Sequence, residues 1–136
     1  FRGLLVAIFV TVSFASAQTE TYTNADPIRS FVYYQVDYGN FGREMGRFNT
    51  FDYTIVRDTA DPSESTIEFN VDATSMDSGV DQRNQDITGP DFLNVAEFPT
   101  ISFKSTSVTD VGDGNLEVTG DLTVRGTSQP VTATVE

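Results

Sequence analysis

Apolar and polar residues alternate along several segments of the chain, which is the spacing of a β-strand with one buried face and one solvent-facing side. The alternation is clearest over residues 66–74, where Ile67, Phe69, Val71 and Ala73 are separated by polar or charged side chains. Other stretches with the same period, bounded by polar turns, cover residues 31–38, 47–57, 101–108, 116–124 and 131–135. The pattern therefore predicts at least six antiparallel strands in meander order.

Residues 77–98 interrupt this alternation. A polar run is followed by Phe92, Leu93 and Phe98 at irregular spacing. We expect a long connection that contains a short helix or helical turn near residues 82–87, with Phe92 and Phe98 packed inward.

The fold class follows from the need to cover the apolar face of such a sheet. Closing the sheet into a barrel covers this face and removes the exposed strand edges. We therefore expect an all-β, antiparallel β-barrel with a short helix in the long loop. About eight strands make a barrel that side chains can fill or that holds one slender ligand. Because about six strands are visible and the sequence stops within strand residues, we expect the barrel to be incomplete at its C-terminus.

The N-terminus has the features of an export signal. Arg2 precedes a short apolar run that ends in the small-residue motif Ala-Ser-Ala. The run is shorter than the roughly 20 residues that span a bilayer as a helix, so no stable membrane insertion is expected. We expect a signal peptide over residues 1–17, cleaved after Ala17, one domain over residues 18–136, and a periplasmic or secreted protein. The alternative is an uncleaved anchor.

The amino-acid composition limits the partners and the kinds of reactive site that the chain can have. The 136 residues include 20 acidic and 8 basic side chains, a formal net charge of −12 that disfavours nucleic acid and anionic membranes as partners. The chain has no Cys and no His, which excludes disulfides, thiol nucleophiles, His-based triads and Cys or His metal sites.

The remaining enzyme hypothesis is acid–base chemistry by paired carboxylates, for which the acidic residues between 72 and 91 are candidates. In a very acidic chain these residues are better explained as solvated surface. Residues 110–115 lack the spacing and final Glu of an EF-hand calcium loop. We therefore expect no catalytic residue, no metal and no cofactor.

Two longer motifs carry a resemblance to a known family. Residues 91–105 read DFLNVAEFPTISFKS, and residues 118–127 read VTGDLTVRGT, followed by Pro130 and Val131. Together with Gly46, Phe48 and Phe51, at and just before the second predicted strand, they resemble the YceI-like family over residues 26–136. The resemblance implies a periplasmic, lipocalin-like, eight-stranded barrel that binds polyisoprenoids.

The chain departs from that family's pattern at positions where many relatives have a His. Arg29 and Tyr38 stand at two such positions, and residues 83–87 read Arg-Asn-Gln-Asp-Ile at a third. Head-group recognition through those histidines is therefore not available to this chain. Arg29, Arg47 or Arg83 could instead pair with a phosphate or quinone head group, and the alternative is that each pairs with a local carboxylate.

The resemblance implies a non-enzymatic binding protein that holds a long apolar lipid, a polyisoprenoid or isoprenoid quinone, in the barrel lumen. A fatty acid or amide fits the same description, and transport, storage and stress protection are all possible roles. The candidate ligand contacts are the apolar strand and loop residues Val32, Tyr34, Val36, Phe48, Phe51, Ile67, Phe69, Val71, Phe92, Phe98, Ile101, Phe103, Leu122 and Val124.

Two alternatives stay open at this point. The same apolar faces would line a solid barrel that acts as a structural or protein-interaction module, because a filled and a hollow barrel both need apolar inward residues. A homodimer is a further possibility, since a paired edge is a natural arrangement for a lipid carrier.

Overall fold

The computed structural model of the chain describes residues 19–23, 30–37, 40 and 42–136. The expected signal peptide over residues 1–17, its cleavage site after Ala17, Arg29 and Tyr38 lie outside these ranges. The hypotheses about them stay predictions.

Within the described ranges the chain forms nine β-strands and one short α-helix, which confirms the predicted all-β fold with a helix in the long loop. Helix α1 spans Asp81–Thr88, close to its predicted position. The strands are β1 Thr19–Thr23, β2 Val32–Asp37, β3 Arg43–Phe48, β4 Phe51–Asp58, β5 Thr66–Asp72, β6 Met76–Asp77, β7 Thr100–Gly112, β8 Asn115–Val124 and β9 Thr127–Val135.

The strands belong to two antiparallel sheets. The larger has six strands in the order β1-β4-β5-β7-β8-β9, and the smaller has three in the order β2-β3-β6. No strand pairing joins the two sheets into a closed barrel within the part of the chain that the structure describes. The order β4-β5-β7-β8-β9 contains five of the six strands of the expected meander, whereas the first of the six, β2, pairs with β3 in the smaller sheet, to which β6 also belongs.

Residues 47–57, predicted as one strand, divide between the two sheets. Strand β3 ends at Phe48 and β4 begins at Phe51. The backbone N–H of Asn49 donates to the carbonyl of Ser75 at 3.1 Å, and that of Thr50 donates to Ser75 Oγ at 2.9 Å. Phe48 and Phe51 are three residues apart, an odd number, so the two-residue alternation is interrupted and the buried face changes to the other side of the chain between them. The two hydrogen bonds to Ser75 hold the backbone at this interruption.

The core lies between the two sheets. Phe48 and Met76 of the smaller sheet and Val71 of the larger sheet form its buried centre. The ring centroids of Tyr34 and Phe48 lie 5.8 Å apart, a distance typical of packed aromatic pairs. The partly buried side chains packed around this centre are Val32, Tyr34, Phe51, Phe69, Ile87, Leu93 and Ile101.

Gly120 on β8 is buried where the backbone of β7 approaches closely. A Cβ atom at this position would overlap the carbonyl oxygen of Lys104 and come within 2.5 Å of the Phe103 ring. The missing side chain therefore leaves room for the Phe103 ring beside β8.

We predict that Gly120→Ala lowers the free energy of unfolding by about 1–3 kcal/mol, because an added methyl group in a packed site forces backbone or ring displacement. Urea denaturation measures the change. Thr109→Ala, at an exposed position of the adjacent strand β7, is the control and should stay within about 0.5 kcal/mol of the unsubstituted protein. Equal stability of the two variants would contradict the close packing at Gly120.

The loop between α1 and β7 is tied to the turn between β8 and β9. Arg125 donates from Nη1 to the carbonyl of Phe92 at 2.9 Å and from Nη2 to the carbonyl of Pro90 at 2.7 Å. Within the loop, the N–H of Leu93 donates to the carbonyl of Ile87 at 2.9 Å. One guanidinium group thus fixes the path of the segment that carries Phe92 and Leu93.

We predict that Arg125→Ala speeds amide hydrogen exchange at Leu93 by about tenfold, because charge-assisted hydrogen bonds to the loop carbonyls are lost and local opening becomes easier. Hydrogen exchange followed by NMR measures this rate. Lys104→Ala removes another cation, one that is paired with Glu68 on the exposed face of the sheet, and should leave the Leu93 rate unchanged. Equal exchange rates in both variants would show that Arg125 does not hold the loop.

Candidate ligand-binding site

A cavity of about 550 Å³ lies between the smaller sheet, helix α1, the loop that follows the helix and strand β7. This volume is in the range of typical small-molecule sites, about 300–1,000 Å³. Most of its wall is aromatic or aliphatic, with three charged side chains. The lining residues are Tyr34, Val36, Glu44, Phe48, Met76, Arg83, Asp86, Ile87, Phe92, Leu93 and Ile101.

Strand β2 contributes Tyr34 and Val36, two residues apart and therefore on the same face. Tyr34 lies directly opposite Gly46 of β3, and a side chain on Gly46 would overlap the Tyr34 ring. The glycine thus gives the ring its place in the cavity wall. The Tyr34 hydroxyl donates to Met76 Sδ at 3.4 Å, which links β2 to β6 across the small sheet.

Helix α1 and its loop supply the opposite wall. Arg83 and Ile87 are four residues apart, a spacing that places them on one helix face. Leu93 joins them because its backbone N–H is bonded to the carbonyl of Ile87. Phe92 lies at the rim, where 60% of its surface remains exposed.

The start of α1 is anchored to β6 by an ionised carboxylate. The backbone N–H of Gly79 donates to Asp77 Oδ1 at 2.8 Å, and Asn84 on the helix donates to the same oxygen at 3.4 Å. These bonds, the first of them above all, with a smaller contribution from Arg47, lower the pKa of Asp77 below its ordinary value. Asp77 therefore stays charged at neutral pH and holds the helix in register with the cavity.

An ion pair forms the polar part of the cavity. Arg83 Nε lies 2.7 Å from Glu44 Oε1, and the Glu44 side chain is only 9% exposed against 40% for Arg83. The Nε–H bond is not aligned on Oε1, so this buried oxygen accepts no hydrogen bond despite the short distance. The contact is a close ion pair, because the attraction between two opposite charges depends on their distance and not on the direction of the N–H bond. Asp86 lies nearby and accepts from Gln82 at 3.2 Å.

The three candidate arginines have different positions. Arg83 lines the cavity, whereas Arg47 lies 3.7 Å from Asp77 on the small sheet and does not line it. Arg29 is outside the described ranges. A contact between a head group and Arg83 stays a prediction.

Of the candidate ligand contacts, the structure brings five together around the cavity. Four others pack in or around the core centre, and Ile67 borders a separate cleft of about 420 Å³ lined by residues of β4, β5, β7, β8 and β9. Phe98, Phe103, Leu122 and Val124 are half-buried elsewhere. All fourteen assignments as ligand contacts stay predictions. The five at the cavity are Tyr34, Val36, Phe48, Phe92 and Ile101, and the four in the core are Val32, Phe51, Phe69 and Val71.

Sequence patterns missed part of the lining. Ile87 could have been found from its spacing of four residues to Arg83, because both lie within the helix predicted near residues 82–87. Met76 lies on a strand of only two residues, too short to show a period. Glu44 precedes the predicted strand at residues 47–57, so no alternation marked it.

The residues that the structure describes include no group of three or more acidic side chains arranged to hold a metal ion. Among the same residues, no helix is long and apolar enough to cross a membrane.

Comparison with known proteins places the fold in a family. Residues 23–136 match the YceI-like domain. A UPF0312 protein of Vibrio cholerae is 32% identical over 131 residues, which are 96% of this chain and 69% of that protein. A UPF0312 protein of Shewanella denitrificans is 40% identical over 101 residues, 74% of this chain and 53% of its own length. The chain thus spans between half and about two thirds of these relatives.

Solved structures agree with the match. Burkholderia cenocepacia BcnA superposes with a TM-score of 0.76 at 25% identity, over 82% of this chain and 69% of that protein. A polyisoprenoid-binding domain from Saccharophagus degradans superposes with a TM-score of 0.52 at 16% identity, over 84% of this chain and 60% of that domain. These likenesses confirm the lipocalin-like all-β fold expected from the two sequence motifs. The chain belongs to the YceI-like family.

Proposed function

We propose that this chain binds a long apolar lipid, of the polyisoprenoid kind, in the cavity between the smaller sheet and helix α1. The observation that carries the proposal is the wall of this cavity, which is aromatic and aliphatic except for Glu44, Arg83 and Asp86. The Saccharophagus degradans domain, a structural relative, is described as polyisoprenoid-binding, which supports the same ligand class here.

Binding of this kind needs no chemical step. An isoprenoid tail carries no charge, so its affinity comes from apolar surface removed from water, about 25 cal/mol per Å². A tail that loses ~200 Å² in the cavity would gain about 5 kcal/mol before the entropic cost of association. Rigid aromatic walls such as Tyr34 and Phe48 suit flat alkene units, because they lose little conformational entropy on contact.

The setting that we propose is the periplasm or the cell exterior, with a role in lipid transport, storage or stress protection. This part of the proposal rests on the Arg2-led apolar run at the N-terminus, which has the pattern of a signal peptide.

A protein-interaction module is the second candidate. An exposed apolar cluster on the outer face of the smaller sheet favours it: Phe31 and Tyr33 are each 58% exposed, and their ring centroids lie 5.9 Å apart. Exposed apolar clusters of this kind are typical of contact surfaces. A homodimer through a sheet edge also stays a prediction.

The primary test is mass spectrometry of the organic extract from the full-length protein, purified from the compartment to which it is exported. We expect an isoprenoid lipid in about stoichiometric amount. A clean extract, together with no uptake of added geranylgeraniol or prenyl quinone, would contradict lipid binding and favour the interaction module.

We predict that Phe92→Asp weakens geranylgeraniol binding at least about tenfold, roughly 1.4 kcal/mol, because a charged group at the rim must lose water when the tail enters. Titration calorimetry measures the affinity. Phe92 is largely exposed, so the fold should tolerate the change.

Val111→Asp is the matched control for this variant. Val111 is also an exposed apolar residue, at 54%, and it does not line the cavity. Its substitution should leave the affinity unchanged. If both variants bind geranylgeraniol like the unsubstituted protein, the ligand does not enter past Phe92.

A further inference from the structure

Glu44 is an unusual residue for the wall of an apolar cavity. A carboxylate that is 91% buried is strongly unfavourable unless other groups replace its lost water. Arg83 compensates its charge, but Oε1 is fully buried and accepts no hydrogen bond. Each carboxylate oxygen can accept about two hydrogen bonds, so the site has unused acceptor capacity.

The Glu44 carboxylate can accept a hydrogen bond from a molecule in the cavity without a change in the backbone. Oε1 is the oxygen that is fully buried beside Arg83, and the second oxygen, Oε2, belongs to the same cavity-lining side chain. Oε2 can therefore accept a hydrogen bond from a bound molecule while the ion pair between Oε1 and Arg83 persists.

The charges around the cavity disfavour an anionic head group. Glu44 and Asp86 contribute two negative charges, against one positive charge on Arg83, which is already engaged with Glu44. The whole chain, these three residues included, carries a formal net charge of −12. A phosphate or carboxylate placed here would therefore meet like charges at short range in a partly desolvated site.

A head group with acceptors alone is also a poor partner for this site, since it covers the Glu44 carboxylate without supplying a donor. We propose that the cavity selects lipids with a head group that carries no negative charge and donates a hydrogen bond to Glu44, such as a terminal hydroxyl. This inference rests on the proposed function, because it concerns the head group of the lipid held in the same cavity. By the same chemistry, a prenyl quinol should bind more tightly than the corresponding quinone.

Four ligands with one common tail test the proposal on the full-length protein after removal of bound lipid. They are geranylgeraniol, its methyl ether, its monophosphate and the corresponding amine, and titration calorimetry gives each affinity. We expect geranylgeraniol to bind at least about tenfold more tightly than the ether, which lacks the donor, and than the phosphate.

The outcomes separate the two proposals. Equal affinity for alcohol and ether, or tighter binding of the phosphate, would overturn the head-group inference and leave lipid binding in place. The amine also donates and carries no negative charge, so it should bind more tightly than the ether, and an amine that binds no better than the ether would also overturn the inference. Failure of all four ligands to bind would reject lipid binding itself, and the head-group inference with it.

Variants of Glu44 assign the selectivity to this residue. Glu44→Leu should remove the preference for alcohol over ether while the ether binds as before, because the tail contacts persist. Glu44→Gln keeps the shape and one acceptor oxygen but removes the charge, so the discrimination against the phosphate should shrink. Glu44→Gln remains informative if the leucine variant does not fold.

Glu117→Gln is the matched control, because it makes the same change of charge at an exposed position of β8 that does not line the cavity. It should leave all four affinities in their original order. A change of selectivity in Glu117→Gln equal to that in Glu44→Gln would assign the effect to the overall charge of the chain and overturn the role of Glu44.

Discussion

The chain leaves one sheet and enters the other at Asn49 and Thr50, and the arrangement of the molecule depends on this crossing. Ser75 holds it by accepting from both backbone N–H groups, through its carbonyl and its hydroxyl. Thr50 in turn accepts from the backbone N–H of Asp72 at 3.0 Å. Because Phe48 and Phe51 lie on either side of the crossing, their side chains enter the space between the sheets from different sheets. That space contains the core and, beside it, the cavity, and Phe48 and Met76 belong to both.

The space between the sheets must be filled with side chains to stabilise the fold, whereas the proposed function needs part of it to stay open. These two requirements oppose each other. Phe48, Val71 and Met76 close one part of it with tightly packed apolar side chains. Toward α1 the packing becomes looser, and Val36 and Phe92 remain exposed at the edge of the cavity. Exposed apolar side chains around a concave surface are costly in water and usually mark a binding surface. The energetic logic of the proposed function is therefore that a lipid tail extends the core into the part that side chains do not fill.

Sequence alone predicts the parts of this fold in which burial imposes a simple period. Strand β5 follows the expected alternation because Ile67, Phe69 and Val71 face inward while their neighbours face solvent. Strand β1 gave no such signal, since all five of its residues are exposed and its position depends on pairing with β4. The ion pair in the cavity wall could not be predicted from the sequence either, because Glu44 and Arg83 are 39 positions apart and come together only in the folded chain.

The two motifs that identified the family form one physical unit beside the cavity. Arg125 of the second motif donates to the carbonyl of Pro90, just before the first motif, and to that of Phe92 within it, and Phe103 pairs with Leu122 across β7 and β8. Only two of the aromatic and aliphatic motif residues proposed as ligand contacts, Phe92 and Ile101, line the cavity. The others shape its support, since the Phe103 ring lies against Gly120 and the Phe98 ring against Gly126. The motifs are thus chiefly a packing constraint that fixes the loop, whereas all three charged residues of the cavity wall, Glu44, Arg83 and Asp86, lie outside them.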